Sequence, residues 1–357
     1  MSARQGRVRL ARLTDLAALG DLSRLSHPAV PDEADRSVRS LGLPVAASHV
    51  SVFSLFRMPL GAFQPHDPLY VYDESGHLTG LARAERDGGR DEWTIVELDA
   101  LDEGAAGEIR FRLVGHLLRD GAKRGARRFH VACADVDDTV EILLQAGFVR
   151  YGEEVLLHRA TAGTTPLPDV ADVAAAAAAG IRPATSRDAI ALHALYRAVT
   201  PAPVVRLEGY RLREWERLSA GSPIPRSSLT PILRFADLEA WVQETAGPAP
   251  GLGALLQVGV AKEDQPDYLR VVARPDHDPA ALIRYGLGVI GERRREALGR
   301  RGHDHGHHGV LAAVRTYEAP LDRRLEEVGF RAIARVSILL RETLARVSAP
   351  ALVPAVR

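Results

Sequence analysis

The chain has 357 residues, a length typical of about two domains of ~150 residues each. Lysine plus arginine and aspartate plus glutamate balance at 46 each, and aromatic residues make up only 5%, which argues against a nucleic-acid-binding protein. No apolar run approaches the ~20 residues of a membrane span, no apolar signal region is visible, and Cys133 is the only cysteine, so we expect a cytoplasmic protein without membrane segments or intrachain disulfides.

The first half alternates short strands with amphipathic helices. Residues 8–10 predict a strand, and Thr14-Asp15 is typical of the N-cap of a helix. A hairpin is predicted over 69–84, because Asp73-Glu-Ser-Gly76 has turn residues between two apolar runs. The following pattern predicts a strand over 92–100, a helix over 107–123, a strand over 128–133, a helix over 136–146 and a strand over 154–159.

The second half repeats this order after a Pro- and Ala-rich linker over 161–180. The pattern restarts at Ile181 and predicts a helix over 187–198, strands near 231–235, 254–261 and 268–273, a helix from 279 to about 298, a strand over 310–315, a helix over 319–327 and a strand over 332–340. We therefore expect an α/β chain of the α+β type, in which a mixed, mostly antiparallel sheet is flanked by helices. Its domains are predicted over 1–160 and 181–347, with a tail over 348–357.

An internal repeat relates the two halves. Residues 8–24 align with residues 181–197 without a gap at an offset of 173, and seven of these 17 positions are identical. Chance would give roughly one or two matches at ordinary residue frequencies. A second match closes each half, where Leu143-Leu-Gln-Ala-Gly-Phe148 corresponds to Leu325-Glu-Glu-Val-Gly-Phe330. The sequence therefore predicts a duplicated domain.

The order of elements and the helix–Gly–Phe–strand ending of each half resemble the GNAT superfamily of acyl-CoA-dependent N-acyltransferases. The resemblance covers nearly all of both halves and implies two tandem GNAT-like domains. It also implies that acetyl-CoA is a cosubstrate and that a small amine is the acceptor. In this family the pantetheine arm pairs with strand amides between two splayed central strands. A Gly-rich loop at a helix N-terminus holds the pyrophosphate, because helix-end amides and the helix dipole favour anions.

The resemblance implies two sets of cofactor-binding positions. Strand amides would contact the pantetheine arm near Leu98 and Ala100, and near Val271 and Ala273. The pyrophosphate loops fall at Ala105, Glu108 and Arg110 in the first half, and at Asp278, Ala281 and Ile283 in the second. Both loops depart from the family pattern, because Glu108 and Asp278 introduce carboxylates that would repel phosphate. Asp278 is equally explained as the N-cap of the following helix.

Candidate proton-transfer residues lie outside these loops. Glu97 and Asp99 lie on the strand that often bears the general base in GNAT enzymes, and strict alternation predicts them on one face with Trp93 and Ile95. The alternative for both is an exposed acidic strand face. The family's acid, a Tyr five residues before the Phe of the Gly-Phe ending, is replaced here by leucine in both halves. Tyr317 is a candidate substitute acid, or else a packed tyrosine.

Three further segments have more than one interpretation. Arg206, Glu208 and Tyr210 follow the first helix of the second half, where GNAT folds form one wall of the acceptor pocket, or they belong to a Pro-rich connector and an ordinary helix around Trp215. Residues 26–66 have the corresponding place in the first half. His303-Asp-His-Gly-His-His308 carries possible Zn²⁺ or Ni²⁺ ligands, but its Gly-flanked loop lacks fixed geometry, so no metal site is predicted.

Two functions therefore follow from the sequence. The first is an N-acetyltransferase that moves an acetyl group from acetyl-CoA to a small amine. The second is a GNAT-fold ligand-binding or regulatory protein that has lost catalysis, as the carboxylates of Glu108 and Asp278 would favour.

Overall fold

The computed structural model describes residues 6–15, 17–19, 22, 67–86, 90–101, 104–134, 138–160, 179–245, 251–261, 265–301, 309–318 and 320–343. Its strands are β1 Arg7–Leu10, β2 Leu69–Glu74, β3 His77–Arg86, β4 Glu92–Ala100, β5 Arg128–Cys133, β6 Val149–Arg159, β7 Ile181–Pro183, β8 Phe235–Glu244, β9 Leu252–Ala261, β10 Asp267–Ala273, β11 Val310–Arg315 and β12 Arg331–Glu342. Its helices are α1 Ala106–Lys123, α2 Thr139–Gln145, α3 Ala189–Val199, α4 Ala202–Glu208, α5 Leu212–Glu216, α6 Ala280–Arg301 and α7 Leu321–Glu326.

The 12 strands in the described part of the chain join one mixed sheet, in the order β1-β2-β3-β4-β5-β12-β6-β11-β10-β9-β8-β7. The order shows that the two halves have exchanged their last strands. β12 pairs with β5 of the first half, and β6 pairs with β11 of the second half, both antiparallel. β6 and β12 also pair with each other, so the arrangement is symmetric about these two strands. The α+β prediction and the mixed, mostly antiparallel sheet are confirmed.

The repeated Leu-x-x-x-Gly-Phe segments form the same helix ending in both halves. Gly147 has φ = 86° and Gly329 has φ = 94°, the left-handed conformation that ends a helix at low cost only with glycine. The amide of Phe148 then donates to the carbonyl of Leu143, and Phe330 repeats this bond to Leu325. The sequence match therefore encodes one turn, used twice.

Each half packs one long helix against its strands. α1 buries one apolar face on β3 and β4, and α6 packs on β9 and β10. The buried residues of α1 are Ile109, Leu113, Val114, Leu117, Leu118 and Gly121. The corresponding core of α6 contains Leu282, Ile283, Leu287 and Ile290. Each fully buried Leu or Ile side chain contributes roughly 1.5–3 kcal/mol to folding.

Most predicted elements are confirmed, and the errors cluster in one segment. The strand predicted near 231–235 is wrong, because Pro231 and Ile232 lie in a turn closed by hydrogen bonds to Leu229. β8 begins only at Phe235, and helix α4 was not predicted, whereas α5 contains Trp215, around which the sequence offered a helix as an alternative. Residues 23–66, 161–178, 302–308 and 344–357 lie outside the described residues, so the segment 26–66, most of the linker, the His303–His308 cluster and the tail do too. The domain limits stay predictions.

Candidate functional site

Each half contains one pair of parallel strands that separate partway along their length. β4 and β5 are paired from Glu92–Arg128 to Ile95–Val131, and β4 continues to Ala100 without β5. In the second half β10 and β11 are paired only from residue 267 to residue 269 of β10, and β10 continues to residue 273. Both halves therefore contain a splay between central strands, and residues beyond it are the candidates to meet a ligand.

The splay of the first half begins at a β-bulge. Along β3 and β4, Arg83 pairs with Glu97 and the next residue, Ala84, pairs with Ile95, which leaves Val96 as an extra residue. An added residue leaves backbone groups without ladder partners and moves every later side chain to the opposite face. The predicted shared face of Trp93, Ile95, Glu97 and Asp99 is therefore wrong. β10 carries no such bulge, since its ladder with β9 is regular from residue 268 to residue 273.

A buried ion pair fills the splay of the second half. Arg270, the first residue beyond the last bonded pair, donates from Nη1 to the carbonyl oxygens of Val271 at 2.9 Å and Ala313 at 3.1 Å. Its two terminal nitrogens also bind the carboxylate of Glu318 at 2.7 and 2.6 Å. Burial alone would lower the pKa of Arg270, but the charge of Glu318 outweighs it and the pKa is raised. Val96 is the first residue beyond the last pair in the first half, so an apolar side chain stands there instead.

The helices that follow the two splays begin differently. In α6 the carboxylate of Asp278 accepts the amide of Ala280 at 3.1 Å and lies 3.3 Å from Arg324. This geometry makes Asp278 a helix cap, the alternative noted from the sequence. In α1 the N-cap residue is Ala105, which has no side-chain cap. The first turn of α1 therefore meets no carboxylate from its own cap, whereas that of α6 does.

The predicted pyrophosphate residues have structural partners. Glu108 is 63% exposed and pairs with Arg112 one turn along α1. Arg110 donates to the hydroxyl of Thr139 on α2 at 3.0 Å. In the second half Ile283 is fully buried in the core, Ala281 packs beside that core, and the amide of Ile283 donates to Pro279 within the helix.

The other predicted residues are distributed over both halves. Leu98 is buried and Ala100 half-buried on β4, where they pair with Ala82 and Gly80 of β3. Val271 and Ala273 are buried on β10. Glu97 is held by Arg83 at 2.8 Å, and Asp99 is half-buried nearby on β4. Tyr317 lies in the turn after β11, and burial raises its pKa.

A cavity of about 280 Å³ lies between the two halves, over β4, β5, β6 and β12. Ile95 and Val131, the last bonded pair before the splay, form part of its lining. The cavity therefore reaches the point where the central strands of the first half separate. Its opposite wall comes from the second half and includes Glu208 and Tyr210, two residues that the sequence proposed for an acceptor wall.

The first half fixes this wall through the end of α4. Arg128 donates to the carbonyl of Leu207 at 2.9 Å, and Arg90 donates to that of Glu208 at 2.7 Å. Cations near the last carbonyls of a helix also interact favourably with its dipole. Arg90 further lies over the ring of Tyr210, 5.2 Å from its centre. The wall is thus held across the boundary between the halves.

At one end of the cavity Glu92 and His130 lie together on neighbouring strands. Their Oε2 and Nε2 atoms are 3.3 Å apart, and Arg90 lies 3.2 Å from the same carboxylate. Burial would raise the pKa of Glu92, but His130 and the nearby arginines outweigh this and lower it. Glu92 is therefore an anion beside an imidazole, an arrangement in which the imidazole can accept a proton.

At the other end a buried network surrounds Arg315. Its guanidinium lies 2.7 Å from Glu154 and 2.9 Å from Glu208, and all three side chains are at least 96% buried. Glu154 also accepts the amide of Ser228 at 2.7 Å, and Glu208 accepts the hydroxyl of Tyr196 at 2.5 Å. Burial would lower the pKa of Arg315, but the two carboxylates raise it well above its usual value.

Sequence reasoning missed most of the cavity residues. Glu92, His130, Ser228 and Arg315 lie on strands or in a loop with no motif around them, and the lining of the cavity combines residues of both halves. Only the position of Glu208 and Tyr210 after the first helix of the second half gave a signal. Among the described residues no group of histidine, cysteine and carboxylate side chains has the arrangement of a metal site. Nor is any helix in the described segments long and apolar enough to span a membrane.

Comparison with solved structures identifies the fold. The structure aligns with a GCN5-related N-acetyltransferase from Sphaerobacter thermophilus over 96% of both chains, with a TM-score of 0.52 and 14% identity. A tandem GNAT protein from the clavulanic acid biosynthesis pathway aligns over 95% of this chain and 98% of its own, with a TM-score of 0.49 and 14% identity. The sequence matches no protein-family model and no curated protein. The chain thus has a tandem GNAT fold, as the order of its elements and the Gly-Phe ending of each half implied.

Proposed function

We propose that the protein is an acyl-CoA-dependent N-acyltransferase that uses only its N-terminal half to bind acetyl-CoA. The observation that carries this proposal is the contrast between the two splays. In the second half Arg270 and Glu318 occupy the space between the strands. In the first half β4 is no longer paired with β5 beyond Ile95, a bulge lies at Val96, and an apolar side chain stands in place of the arginine.

The rest of the first half fits an acyl-CoA substrate. Backbone groups of β4 beyond the bulge, near Leu98 and Ala100, would pair with the amides of the pantetheine arm. The first turn of α1, whose N-cap residue is an alanine, would receive the pyrophosphate, because helix N-terminal amides attract anions. The second half does not fit, because Asp278 already caps α6 and would repel phosphate.

The reaction would join an amine in the cavity to the acyl group at the splay. The amine nitrogen attacks the thioester carbonyl carbon, a C–N bond forms, and the C–S bond breaks with its electron pair leaving on sulfur. One proton leaves the amine and one is taken up by the thiolate. Backbone amides of β4 would stabilise the negative charge that develops on the carbonyl oxygen.

His130, beside the anionic Glu92, is the group placed to receive the proton of the amine. Glu97 and Asp99 remain candidates on the same strand as Glu92, although Glu97 is already paired with Arg83. The family's tyrosine acid has no equivalent, since Leu143 and Leu325 are buried core residues. Tyr317 belongs to the second half and does not line the cavity.

A second candidate function is supported by the same leucines. A GNAT fold without a proton donor for the departing thiolate would suit a protein that binds acetyl-CoA or a small ligand and releases no product. Binding of acetyl-CoA without any release of CoA, across a wide set of amines, would favour this regulatory reading.

The test is titration of the full chain with acetyl-CoA, with binding measured by calorimetry and by thermal unfolding. We expect one acetyl-CoA site per chain, and at saturation an increase of several degrees in the midpoint temperature of unfolding. Ala105→Asp places a cap carboxylate on α1 and should weaken binding about tenfold or more without loss of stability. Asp278→Ala should leave affinity unchanged. Weakening by Asp278→Ala, with no effect of Ala105→Asp, would move the site to the second half. No binding at all would refute the acyltransferase.

A further inference from the structure

Four buried polar atoms on described residues that line the cavity have no hydrogen-bond partner: Oε2 of Glu92, Nε2 of His130, Nη1 of Arg315 and the hydroxyl of Ser228. Of these residues, Arg315 and Ser228 offer hydrogen-bond donors and are at least 95% buried. They are neighbours, because Nε of Arg315 and the amide of Ser228 both bind the carboxylate of Glu154. An unpaired buried donor costs free energy comparable to a lost hydrogen bond, so this pair is suited to a ligand that supplies acceptor oxygens.

We infer that the cavity binds a small zwitterionic acceptor, an amine that also carries a carboxylate, and that the second half selects it through Arg315 and Ser228. The inference rests on the proposed function for the identity of the acceptor as a substrate. The carboxylate would accept hydrogen bonds from Arg315 and Ser228. The amine would lie toward Glu92 and His130, and His130 directly precedes Val131 of the last bonded pair of β4 and β5.

The charges around the cavity favour a zwitterion over a simple cation or anion. Glu85, Glu92 and Glu208 line it together with Glu154 behind them, and four arginines balance these four carboxylates: Arg86, Arg90, Arg226 and Arg315. A ligand with a net charge would be left uncompensated in a site with a low effective dielectric. A ligand with one charge of each sign keeps the balance, and each end meets a partner of opposite charge.

The size of the cavity limits the acceptor. Sites for drug-sized ligands measure roughly 300–1,000 Å³, so a cavity of about 280 Å³ is suited to a molecule near the size of a single amino acid. The wall also explains why the second half is present although its own splay is filled. It would supply recognition groups to a reaction site on the first half, in place of a second active site.

The experiment compares proteinogenic amino acids with the amines formed by removing their carboxylate, for example lysine with cadaverine and alanine with ethylamine. Binding is followed by ligand-observed NMR on the full chain without acetyl-CoA, and turnover by CoA thiol release with it. At least one amino acid should bind about tenfold or more tighter than its decarboxylated partner. Equal binding of both members in every pair, or no binding of any amino acid, would overturn the inference.

Ser228→Ala is the decisive variant, because it removes a hydroxyl without partners and keeps the fold. We expect the dissociation constant of the preferred amino acid to rise about five- to tenfold, with the decarboxylated amine and acetyl-CoA unaffected. Ser219→Ala, at an exposed site outside the cavity, is the matched control. An unchanged constant in Ser228→Ala would contradict the inference. If the wild-type protein does not bind acetyl-CoA, the proposed function is contradicted. The binding of amino acids is measured without acetyl-CoA and therefore still tests the inference.

Discussion

Arg182 holds Asp188 by two parallel hydrogen bonds, of 2.9 Å from Nη1 and 2.7 Å from Nη2. Arg9 holds Asp15 in the same way, at 2.7 and 3.0 Å, from the equivalent positions of the first repeat. In both halves the aspartate also accepts a backbone amide three residues before it, that of Thr185 or Arg12. Two of the seven identities in the sequence repeat thus form a clasp that joins the first strand to the following turn.

The clasp predicts a pH dependence of stability. The hydrogen bonds from Arg182 lower the pKa of Asp188 to about 2, against 3.8 for the ordinary side chain. Because the folded pKa lies below the unfolded one, the stabilisation is complete above about pH 4 and is lost as the pH falls toward 2. After allowance for the partly exposed Arg182, we expect Asp188→Asn to cost about 1–2 kcal/mol at pH 7.

Urea unfolding at several pH values measures this effect. The difference in unfolding free energy between wild type and Asp188→Asn should shrink toward zero between pH 4 and pH 2. Asp276→Asn, at a side chain that is 82% exposed, is the control and should show no such convergence. A constant difference across this range would mean that the charge of Asp188 does not contribute to the stability of the clasp.

Two glycines of α1 predict opposite effects of the same substitution. A Cβ at Gly121 would lie 2.6 Å from the ring of Phe129 and 3.1 Å from Trp93, so Gly121→Ala should destabilise the protein by about 1–3 kcal/mol. A Cβ at Gly115 would meet nothing within 4 Å, so Gly115→Ala should stabilise it by about 0.5–1 kcal/mol. Thermal and urea unfolding measure both. Equal effects would show that α1 lies farther from β4 and β5 than described.

The buried ion pair of Arg270 and Glu318 predicts that the stability of the protein depends strongly on Glu318. Glu318→Leu would leave Arg270 buried and unpaired, and should cost about 3–5 kcal/mol. The double variant Arg270→Met/Glu318→Leu should recover most of that loss, because no charge remains to be compensated. Urea unfolding measures both, and the affinity for acetyl-CoA should be unchanged in the double variant. An affinity lost in that variant would place cofactor binding in the second half.

Substitutions of the candidate general bases should lower kcat to different extents. His130→Gln should lower kcat about 100-fold or more with little change in the KM for acetyl-CoA, as expected for a lost general base. Glu92→Gln should lower kcat by a smaller factor, because it removes the anion that supports His130. Glu97→Gln should change kcat less than about threefold. The reverse order would assign the base to Glu97.

The sequence predicted the fold well because its signals are local. The Gly-Phe endings, the hairpin at Ser75-Gly76 and the periodic helices each arise from neighbouring residues. The bulge at Val96 was beyond this reasoning, since it results from the way β3 and β4 pair and it reverses the faces of every later residue on β4. The cavity was beyond it too, because Arg315 and Ser228 meet Glu154 only after the two halves have packed together.

The exchange of β6 and β12 has a consequence for how this protein can change over time. A gene copy that stops binding its cofactor is ordinarily dispensable and can be deleted. Here deletion of the second half would remove β12 from beside β5 and leave β6 without β11, which exposes hydrogen-bonding edges in the middle of the sheet. The two halves therefore depend on each other structurally, and the sheet requires the second half whether or not it binds a cofactor.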